Sequence, residues 1–370
     1  MGINGGSLWD DAAADGRIRP GRGPYFTRRV LPVRLPVART GLVEAGVRRS
    51  VLDRDYAALT RGVLVLLACD ADDGTEFLPG TGGEPGRYRY DIITRSRAFE
   101  VTRPGGVRGY WAAAAHLGLV YWADSSAVVI HRGRNKRGSL TDDGPVSYPV
   151  FRPLPTGAGT VTPDPAFPDL QVVDAATCAV QCLTTVLTGK KTWWVPVVPG
   201  LASVTVRAVQ FLDAFFQCTW LTPQDVAVAA RNHIDRRQVA DILALTDPGF
   251  GAQSPMETAL RLIVREELPA RYIWISQVHV SLTDGSVQAG GSAVRCAVPD
   301  LACPELKVAL FYDGGHHDAA AQVDTDFDMV QSLRDVGWEV VRVNKTLLKK
   351  RSVMLKQLRA AIARGLAGAG

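Results

Sequence analysis

The stretch that decides the fold is Pro299-Asp300-Leu-Ala-Cys-Pro-Glu-Leu-Lys307-Val-Ala-Leu-Phe-Tyr-Asp313-Gly314-Gly315-His316-His317. Its centre, residues 306–312, is almost continuously apolar, which is typical of a strand buried on both faces of a sheet. Asp300 precedes the turn 301–305, and Asp313 ends the long strand. If the two segments pair as a hairpin, both carboxylates can approach one point.

A helix is predicted upstream of this strand, starting at Ser254-Pro255-Met256-Glu257. Ser suits the cap, Pro the first turn, and Glu a position where the helix dipole favours a carboxylate. Downstream, acidic residues lead into a further predicted helix that ends at Asp335, and 337–343 reads as another strand. The sequence therefore predicts an α/β domain at the C-terminus.

The two aspartates are of the residue type that binds Mg²⁺. Mg²⁺ takes hard oxygen ligands and uses one or two protein carboxylates, with water and phosphate completing its octahedron. An Asp beside a buried strand is costly without a partner. Asp300 and Asp313 are therefore candidate metal ligands, and Mg²⁺ is the expected cofactor of an active site here.

These landmarks, together with the later Gly337-Trp338-x-Val-Val-Arg-Val, resemble the very-short-patch-repair-endonuclease-like domain of the PD-(D/E)XK nucleases. The resemblance is good over 254–345 and loose over 42–370. It implies a restriction-endonuclease-like mixed sheet with flanking helices, preceded by a mostly α winged-helix-like and helical region. In actinobacterial proteins such a domain often follows an AbiEi-type antitoxin winged helix.

The resemblance also implies roles for single residues. Asp300 becomes the metal carboxylate, Glu257 the acid on the first helix, and Asp326 the acid leading the later helix. Most relatives have Glu two residues before Asp-Gly, whereas this chain has Phe311. A phenyl ring cannot bind Mg²⁺, so the ordinary two-carboxylate site is broken at Phe311.

Two explanations of this change remain open. In the mismatch-repair branch of the fold, a backbone carbonyl is the second metal ligand and histidine assists hydrolysis; here these would be the Tyr312 carbonyl and His316 or His317. The alternative is a retained fold that grips DNA without cutting it. An exposed turn is a third, purely structural interpretation of the histidine pair.

The rest of the chain divides by composition into a flexible Arg/Gly/Pro-rich arm (1–40), a winged-helix-like head (41–108), a mostly helical connector (109–245) and the nuclease-like domain with a basic C-terminal tail (246–370). Within the head, two short helices bent at Gly46 precede a β-rich run at 63–67, while 88–94 reads as a short strand. In the connector, 174–187 and 204–218 are predicted helices.

Basic residues mark two candidate nucleic-acid-binding surfaces. Arg48, Arg49 and Arg54 would lie on the recognition helix of the head, where Arg can reach base edges or phosphates. The tail contributes Lys349, Lys350 and Arg351. For each group, an ordinary solvated surface is an equally good interpretation.

Composition limits the class of protein. Apolar residues make up 46% and charged residues 21% of the 370 residues, and the net charge is +5. No apolar run approaches the ~18 residues of a membrane span, and the N-terminus lacks a signal-peptide pattern, so a cytoplasmic protein is expected. The six cysteines form no Cys-x-x-Cys pair, which disfavours a zinc knuckle. The expected partner is DNA, with a cognate toxin or another protein as alternatives.

Overall fold

The structure is a computed structural model of the 370-residue chain. It describes residues 29–67, 88–133, 148–247, 252–288, 295–313 and 320–368, with side chains in the last segment described over 327–367. This part of the chain is mixed α/β and forms two compact units. One unit contains Thr27–Trp194 and Leu221–Ala240, and the other contains Val195–Trp220 and Asp241–Gly370.

The first unit begins with two short helices and a small antiparallel sheet. Helices α1 (Arg39–Glu44) and α2 (Arg49–Asp55) flank Gly46, whose φ of +82° confirms the predicted bend. The strands are β1 (Val37–Ala38), β2 (Tyr56–Thr60) and β3 (Val63–Leu66), in the order β1-β3-β2. The predicted β-rich run is therefore a strand.

Helix α3 (Ile92–Thr102) follows, where the sequence indicated a strand at 88–94. The β-branched residues of this segment misled the prediction. The decisive signal is Asp91, whose side chain caps the helix by accepting from the Ile93 and Thr94 N–H groups at 2.9 Å each. Tyr90 and Ala98 then pack with Val63 and Val65 into one core cluster.

A buried ion pair joins α3 to the chain around it. Arg97 is 1% exposed and forms two hydrogen bonds, of 2.7 and 2.9 Å, with the fully buried Asp164. The same guanidinium donates to the backbone carbonyls of Pro32 and Arg34. Arg97 therefore fixes the extended segment that leads into β1.

A five-stranded sheet occupies part of the region predicted as a mostly helical connector. Its order is β6-β5-β4-β8-β7, with strands β4 (Val107–Gly109), β5 (Val129–His131), β6 (Val150–Arg152), β7 (Thr160–Val161) and β8 (Val172–Val173). Each strand has only two or three residues, too few for a period of two to be visible in the sequence. The connector prediction was wrong in this respect.

Helices complete the first unit. These are α4 (Tyr110–His116), α5 (Ala175–Leu187) and α7 (Pro223–Ala230), with most of α8 (Arg236–Leu243). Thr222 and Asp225 form a reciprocal capping box at the start of α7. Cys178 and Cys182 of α5 are buried as core thiols.

Helix α6 (Ser203–Cys218) belongs to the second unit, so the division does not fall at residue 246 as predicted. It packs against α9 (Pro255–Glu267). The fully buried Asp213 on α6 accepts from the Thr258 hydroxyl at 2.9 Å and from Arg261 at 2.7 Å, both on α9. A buried carboxylate thereby links the two helices.

The central sheet of the second unit is mixed and has the order β15-β14-β13-β9. Its strands are β9 (Ile275–Ser276), β13 (Leu301–Cys303), β14 (Val308–Asp313) and β15 (Glu339–Asn344). Strand β13 pairs antiparallel with β14, so a hairpin forms as predicted, but residues 301–303 are its first strand and not part of a turn over 301–305. Strand β14 pairs parallel with β15. Helix α10 (Ala320–Asp335) connects the parallel strands.

A smaller sheet of β10 (His279–Ser281), β11 (Val287–Gln288) and β12 (Cys296–Ala297) packs beside the central sheet. The Trp338 indole donates to the Gly285 carbonyl at 2.9 Å. Trp338 also belongs to the core cluster that includes Val280, Ala309 and Leu333. The predicted Gly337-Trp338 landmark therefore has a packing role.

The C-terminal segment, predicted as a basic tail, consists of helices α11 (Lys345–Lys349) and α12 (Arg351–Gly368). Buried Met354, Leu358 and Ala361 provide an apolar face on α12 that was overlooked among its lysines and arginines. Gly365 lies so close to the Leu306 carbonyl oxygen that a Cβ would overlap it. The helix also contacts β14 and β15, so it packs against the central sheet. Among the described residues, no helix combines the length and apolarity needed to cross a membrane.

Candidate functional site

Glu257 stands in the first turn of α9, as predicted. The Ser254 hydroxyl caps the helix by accepting from the Glu257 N–H at 3.3 Å, and Pro255 occupies the first turn. The Glu257 carboxylate accepts from the Gln253 backbone N–H at 2.8 Å. Local capping therefore directs Glu257 back toward the loop before the helix.

Asp300 immediately precedes β13 and is held against the neighbouring strand. Its Oδ2 accepts from the Tyr312 backbone N–H at 2.5 Å. Because the N–H and C=O of one residue in an extended strand point to the same side, the Tyr312 carbonyl also faces the Asp300 strand. The predicted pair of ligands, Asp300 and the Tyr312 carbonyl, thus lies on one side of β14.

Gln277 joins the two acids and was missed by the sequence analysis. Its Nε2 donates to Glu257 Oε2 at 3.1 Å and to Asp300 Oδ1 at 3.2 Å. Gln277 is 4% exposed and has a φ of +56°, an unfavourable backbone conformation for a residue with a side chain. In the sequence, the signal for this role is a single amide residue, Gln277, between two apolar segments that were predicted as strands.

Both carboxylates are partly buried and close enough to interact electrostatically. Burial, followed by the charge of Asp300, raises the pKa of Glu257 to about 8. Burial also raises the pKa of Asp300 to about 6, although hydrogen bonds from Tyr312 and Gln277 oppose the change. At neutral pH the pair therefore keeps about one proton, held mainly on Glu257.

Asp313, the other predicted metal ligand, has a different partner. Its carboxylate accepts two hydrogen bonds, of 2.9 and 3.0 Å, from Arg342 on β15. The Asp313 charge still raises the pKa of Asp300, so the two groups are near each other. Asp313 is therefore neutralised by an arginine at the rim of the site.

Phe311 is partly buried and packs against the core cluster that contains Ala309 and Leu333. It is a neighbour of Arg342 in the parallel register of β14 and β15. The position where the resembled family has a second strand carboxylate thus contributes apolar contacts here. The Phe311 side chain offers no oxygen to a cation.

The other candidate ligands are all oxygen atoms, the type of ligand that Mg²⁺ prefers. Glu257 and Asp300 supply two carboxylates, and the Tyr312 carbonyl lies on the same side as Asp300. Within the described ranges, no cluster of three or more His, Cys, Asp or Glu side chains suits a metal ion. Water or a phosphate oxygen would have to complete the coordination shell.

Three predicted catalytic residues lie outside what the structure describes. His316 and His317 belong to the undescribed range 314–319. Asp326 does not lead the later helix as predicted, because α10 already begins at Ala320, and the Asp326 side chain is likewise not described. Their predicted roles stay predictions.

The head residues Arg48, Arg49 and Arg54 are all exposed, but their surroundings differ. Arg54 forms an ion pair of 2.7 Å with Asp55, and Arg49 lies 3.7 Å from Asp53. Arg48 makes no ion pair with any residue in the described ranges. Arg48 is thus the most available of the three cations.

The C-terminal basic residues lie at the junction of α11 and α12. Lys349 and Lys350 are exposed, whereas Arg351 is half-buried and 3.5 Å from Glu267 of α9. Arg351 therefore serves helix packing as well as surface charge.

The fold and site define a mixed α/β protein with a two-carboxylate site beside a mixed sheet. No protein-family model, no curated protein and no solved structure matches the chain.

Proposed function

We propose that this protein binds DNA and that its C-terminal unit is a divergent PD-(D/E)XK nuclease-like domain. Its proposed setting is defence, toxin–antitoxin control or phage–host conflict. The observation that carries the proposal is the partly buried pair of Glu257 and Asp300, bridged by Gln277 next to the long strand. Two carboxylates with raised pKa values held together in this way are unfavourable for folding and are characteristic of functional sites.

Weak or absent cleavage follows from the same site. Phe311 packs into the core, and Arg342 neutralises Asp313, so the long strand offers no free side-chain carboxylate to a cation. In the absence of a cation, the raised pKa of Glu257 keeps this acid protonated at neutral pH. A protonated carboxyl is a hydrogen-bond donor, which suits contact with a DNA phosphate.

An active Mg²⁺-dependent endonuclease is the second candidate. The observation that favours it is the Tyr312 carbonyl, which shares the side of β14 that holds Asp300 and can replace the missing carboxylate. Mg²⁺ would supply positive charge for the phosphodiester and a more acidic water. Asp300 and Glu257 would hold it, while Gln277 keeps the two carboxylates together.

A plasmid-nicking assay with Mg²⁺ or Mn²⁺ separates the candidates. The divergent-domain proposal expects a DNA gel shift that weakens with salt and no nicking above that of Asp300→Asn. Nicking by the wild type that Asp300→Asn abolishes would establish the endonuclease instead. The control is Asp335→Asn, an exposed carboxylate at the end of α10.

A third outcome would overturn both candidates. If duplex, mismatched and single-stranded DNA all fail to bind at low salt, the domain serves as a scaffold for protein contacts. An antitoxin that binds its toxin directly would behave in this way.

A further inference from the structure

A cavity of about 800 Å³ lies in the first unit beside the five-stranded sheet. Its polar lining includes Tyr110, His131, Arg152, Gln181 and His233. Cavities of roughly 300–1,000 Å³ accommodate small organic ligands. The size of this cavity therefore suits a ligand as large as a mononucleotide.

The cavity wall is a preorganised polar network. Both ring nitrogens of His131 form hydrogen bonds. Nδ1 lies 2.8 Å from the Pro153 carbonyl oxygen, and Nε2 lies 3.0 Å from Gln181 Nε2. Since a carbonyl only accepts, Nδ1 carries the proton and Nε2 accepts from the Gln181 amide. The imidazole is thereby held neutral and in one orientation.

Tyr110 is fixed against this histidine. Its ring stacks on His131 with centroids 6.0 Å apart, and its backbone N–H donates to Gln181 Oε1 at 2.8 Å. Tyr110 has a φ of +54°, and a Cβ at the preceding Gly109 would overlap His131. Such backbone strain concentrates at binding and active sites.

Arg152 supplies the positive charge of the cavity. It is exposed at the end of β6, and its guanidinium makes no hydrogen bond or ion pair with the described residues. Tyr110 and Arg152 both line the cavity, and the Arg152 charge opposes the rise in the pKa of Tyr110 that burial causes. The lining thus contains a cation, the Arg152 guanidinium, and a neutral donor, the Tyr110 hydroxyl.

Asp174 is the one carboxylate among the described residues of the lining, and it is already engaged. Asp174 caps α5 by accepting from the Thr177 N–H at 2.9 Å and the Thr177 hydroxyl at 2.7 Å. It also accepts from the Gly159 N–H at 2.8 Å. These three hydrogen bonds stabilise the Asp174 carboxylate at the start of α5. Arg152 therefore remains available to bind an anion.

We infer that this cavity binds a small phosphate-bearing organic molecule about the size of a mononucleotide. Arg152 would form the paired hydrogen bonds that guanidinium makes with phosphate, and the Tyr110 hydroxyl would add a neutral donor. The cavity lies within the first unit, and the inference is independent of the nuclease-like site.

Calorimetry on the full chain tests the inference, with AMP, GMP, CMP and UMP as probes beside adenosine and inorganic phosphate. At least one monophosphate should bind, more tightly than phosphate or the nucleoside. Arg152→Gln should weaken that binding roughly tenfold or more. Arg132→Gln, an exposed arginine just after β5 and outside the cavity lining, should leave it within about twofold.

The inference is overturned if no monophosphate binds, or if Arg152→Gln binds as the wild type does. It is also overturned if a 5′-phosphorylated oligonucleotide competes as well as the monophosphate, because the cavity would then hold a DNA end. Tyr110→Phe gives a second measure and should weaken binding while retaining the fold. Asp300→Asn should bind the monophosphate normally, so failure here and failure of the proposed function remain distinct.

Discussion

The Asp300 carboxylate is bound to the backbone of the long strand, since its Oδ2 accepts from the Tyr312 N–H at 2.5 Å. Any substitution of Tyr312 other than proline retains the donor of this bond, because the donor is the backbone N–H. Asp300 is therefore positioned by the β13–β14 hairpin itself. Its chemistry then depends on the acid that lies across Gln277.

Removing the charge of Glu257 should stabilise the protein at alkaline pH. The pKa of Glu257 in the fold is about 8, raised from 4.5, so the folded state holds the proton more tightly. Wild-type stability should fall as pH rises from about 4.5 to 8 and then level off. Glu257→Gln should gain roughly 1–3 kcal/mol at pH 8 and little at pH 4.5. Urea unfolding of the wild type and the variant in the presence of EDTA, at both pH values, measures this difference in the free energy of unfolding.

The matched control is Glu266→Gln, an exposed carboxylate on the same helix. It should change the free energy of unfolding by less than about 0.5 kcal/mol at both pH values. Equal changes in the free energy of unfolding for the two substitutions would argue against an unfavourable interaction between Glu257 and Asp300.

Mg²⁺ binding should release protons. A cation between Glu257 and Asp300 favours their charged forms, so the proton held by the pair at pH 7 must leave. Calorimetry in two buffers of different ionisation enthalpy should show about half to one proton released per ion. Asp300→Asn should lose this dependence on the buffer, and a wild type with identical heats in both buffers would contradict the prediction.

Phe311→Glu should increase nicking in Mg²⁺ by restoring a strand carboxylate. The substitution also removes an apolar side chain from the core cluster, so we expect a loss of about 1–3 kcal/mol of stability. Phe311→Gln is the matched variant, because it has similar size and polarity without charge. A rise in nicking with both variants, or with neither, would count against a carboxylate effect at this position.

Arg48→Ala should weaken DNA binding more than Arg54→Ala. Arg54 is already paired with Asp55 at 2.7 Å, whereas Arg48 has no such partner in the described part of the chain. Losing one phosphate contact should reduce the slope of log K against log salt by roughly 1. Gel shifts or fluorescence anisotropy from low to moderate salt measure both variants, and equal slopes would exclude a specific role for Arg48.

Asp164→Asn should strongly destabilise the first unit. It leaves the guanidinium of Arg97 buried without its counter-charge, which costs about 3–5 kcal/mol. Asp169→Asn, an exposed neighbour in sequence, should be nearly neutral. Thermal unfolding together with limited proteolysis would detect the difference, and similar melting temperatures for the two variants would refute this role.

Much of the second unit was predictable because its signals are local. Ser254 and Pro255 mark the start of α9, and the long apolar run marks β14. The approach of Asp300 to the long strand followed from the hairpin. Gln277 could not be assigned, because its role depends on a positive φ and on two acids that are 20 and 23 residues away in sequence.

The first unit was less predictable because its sheet is assembled from distant short segments. Strand β4 pairs in parallel with β8, and Arg108 is aligned with Val172. Two-residue strands have no usable periodicity, and their pairing depends on long-range packing. The cavity beside Arg152 was missed for the same reason.

The Arg97 guanidinium donates hydrogen bonds to the backbone carbonyls of Pro32 and Arg34. Neither bond involves a side chain of the extended segment before β1. The intervening Val33 is 75% exposed, and the neighbouring Leu35 is 53% exposed. Side-chain substitutions at Val33 and Leu35 should therefore leave the hydrogen bonds from Arg97 intact. The anchorage of this segment is therefore encoded by two residues distant from it in sequence, Arg97 and its counter-ion Asp164.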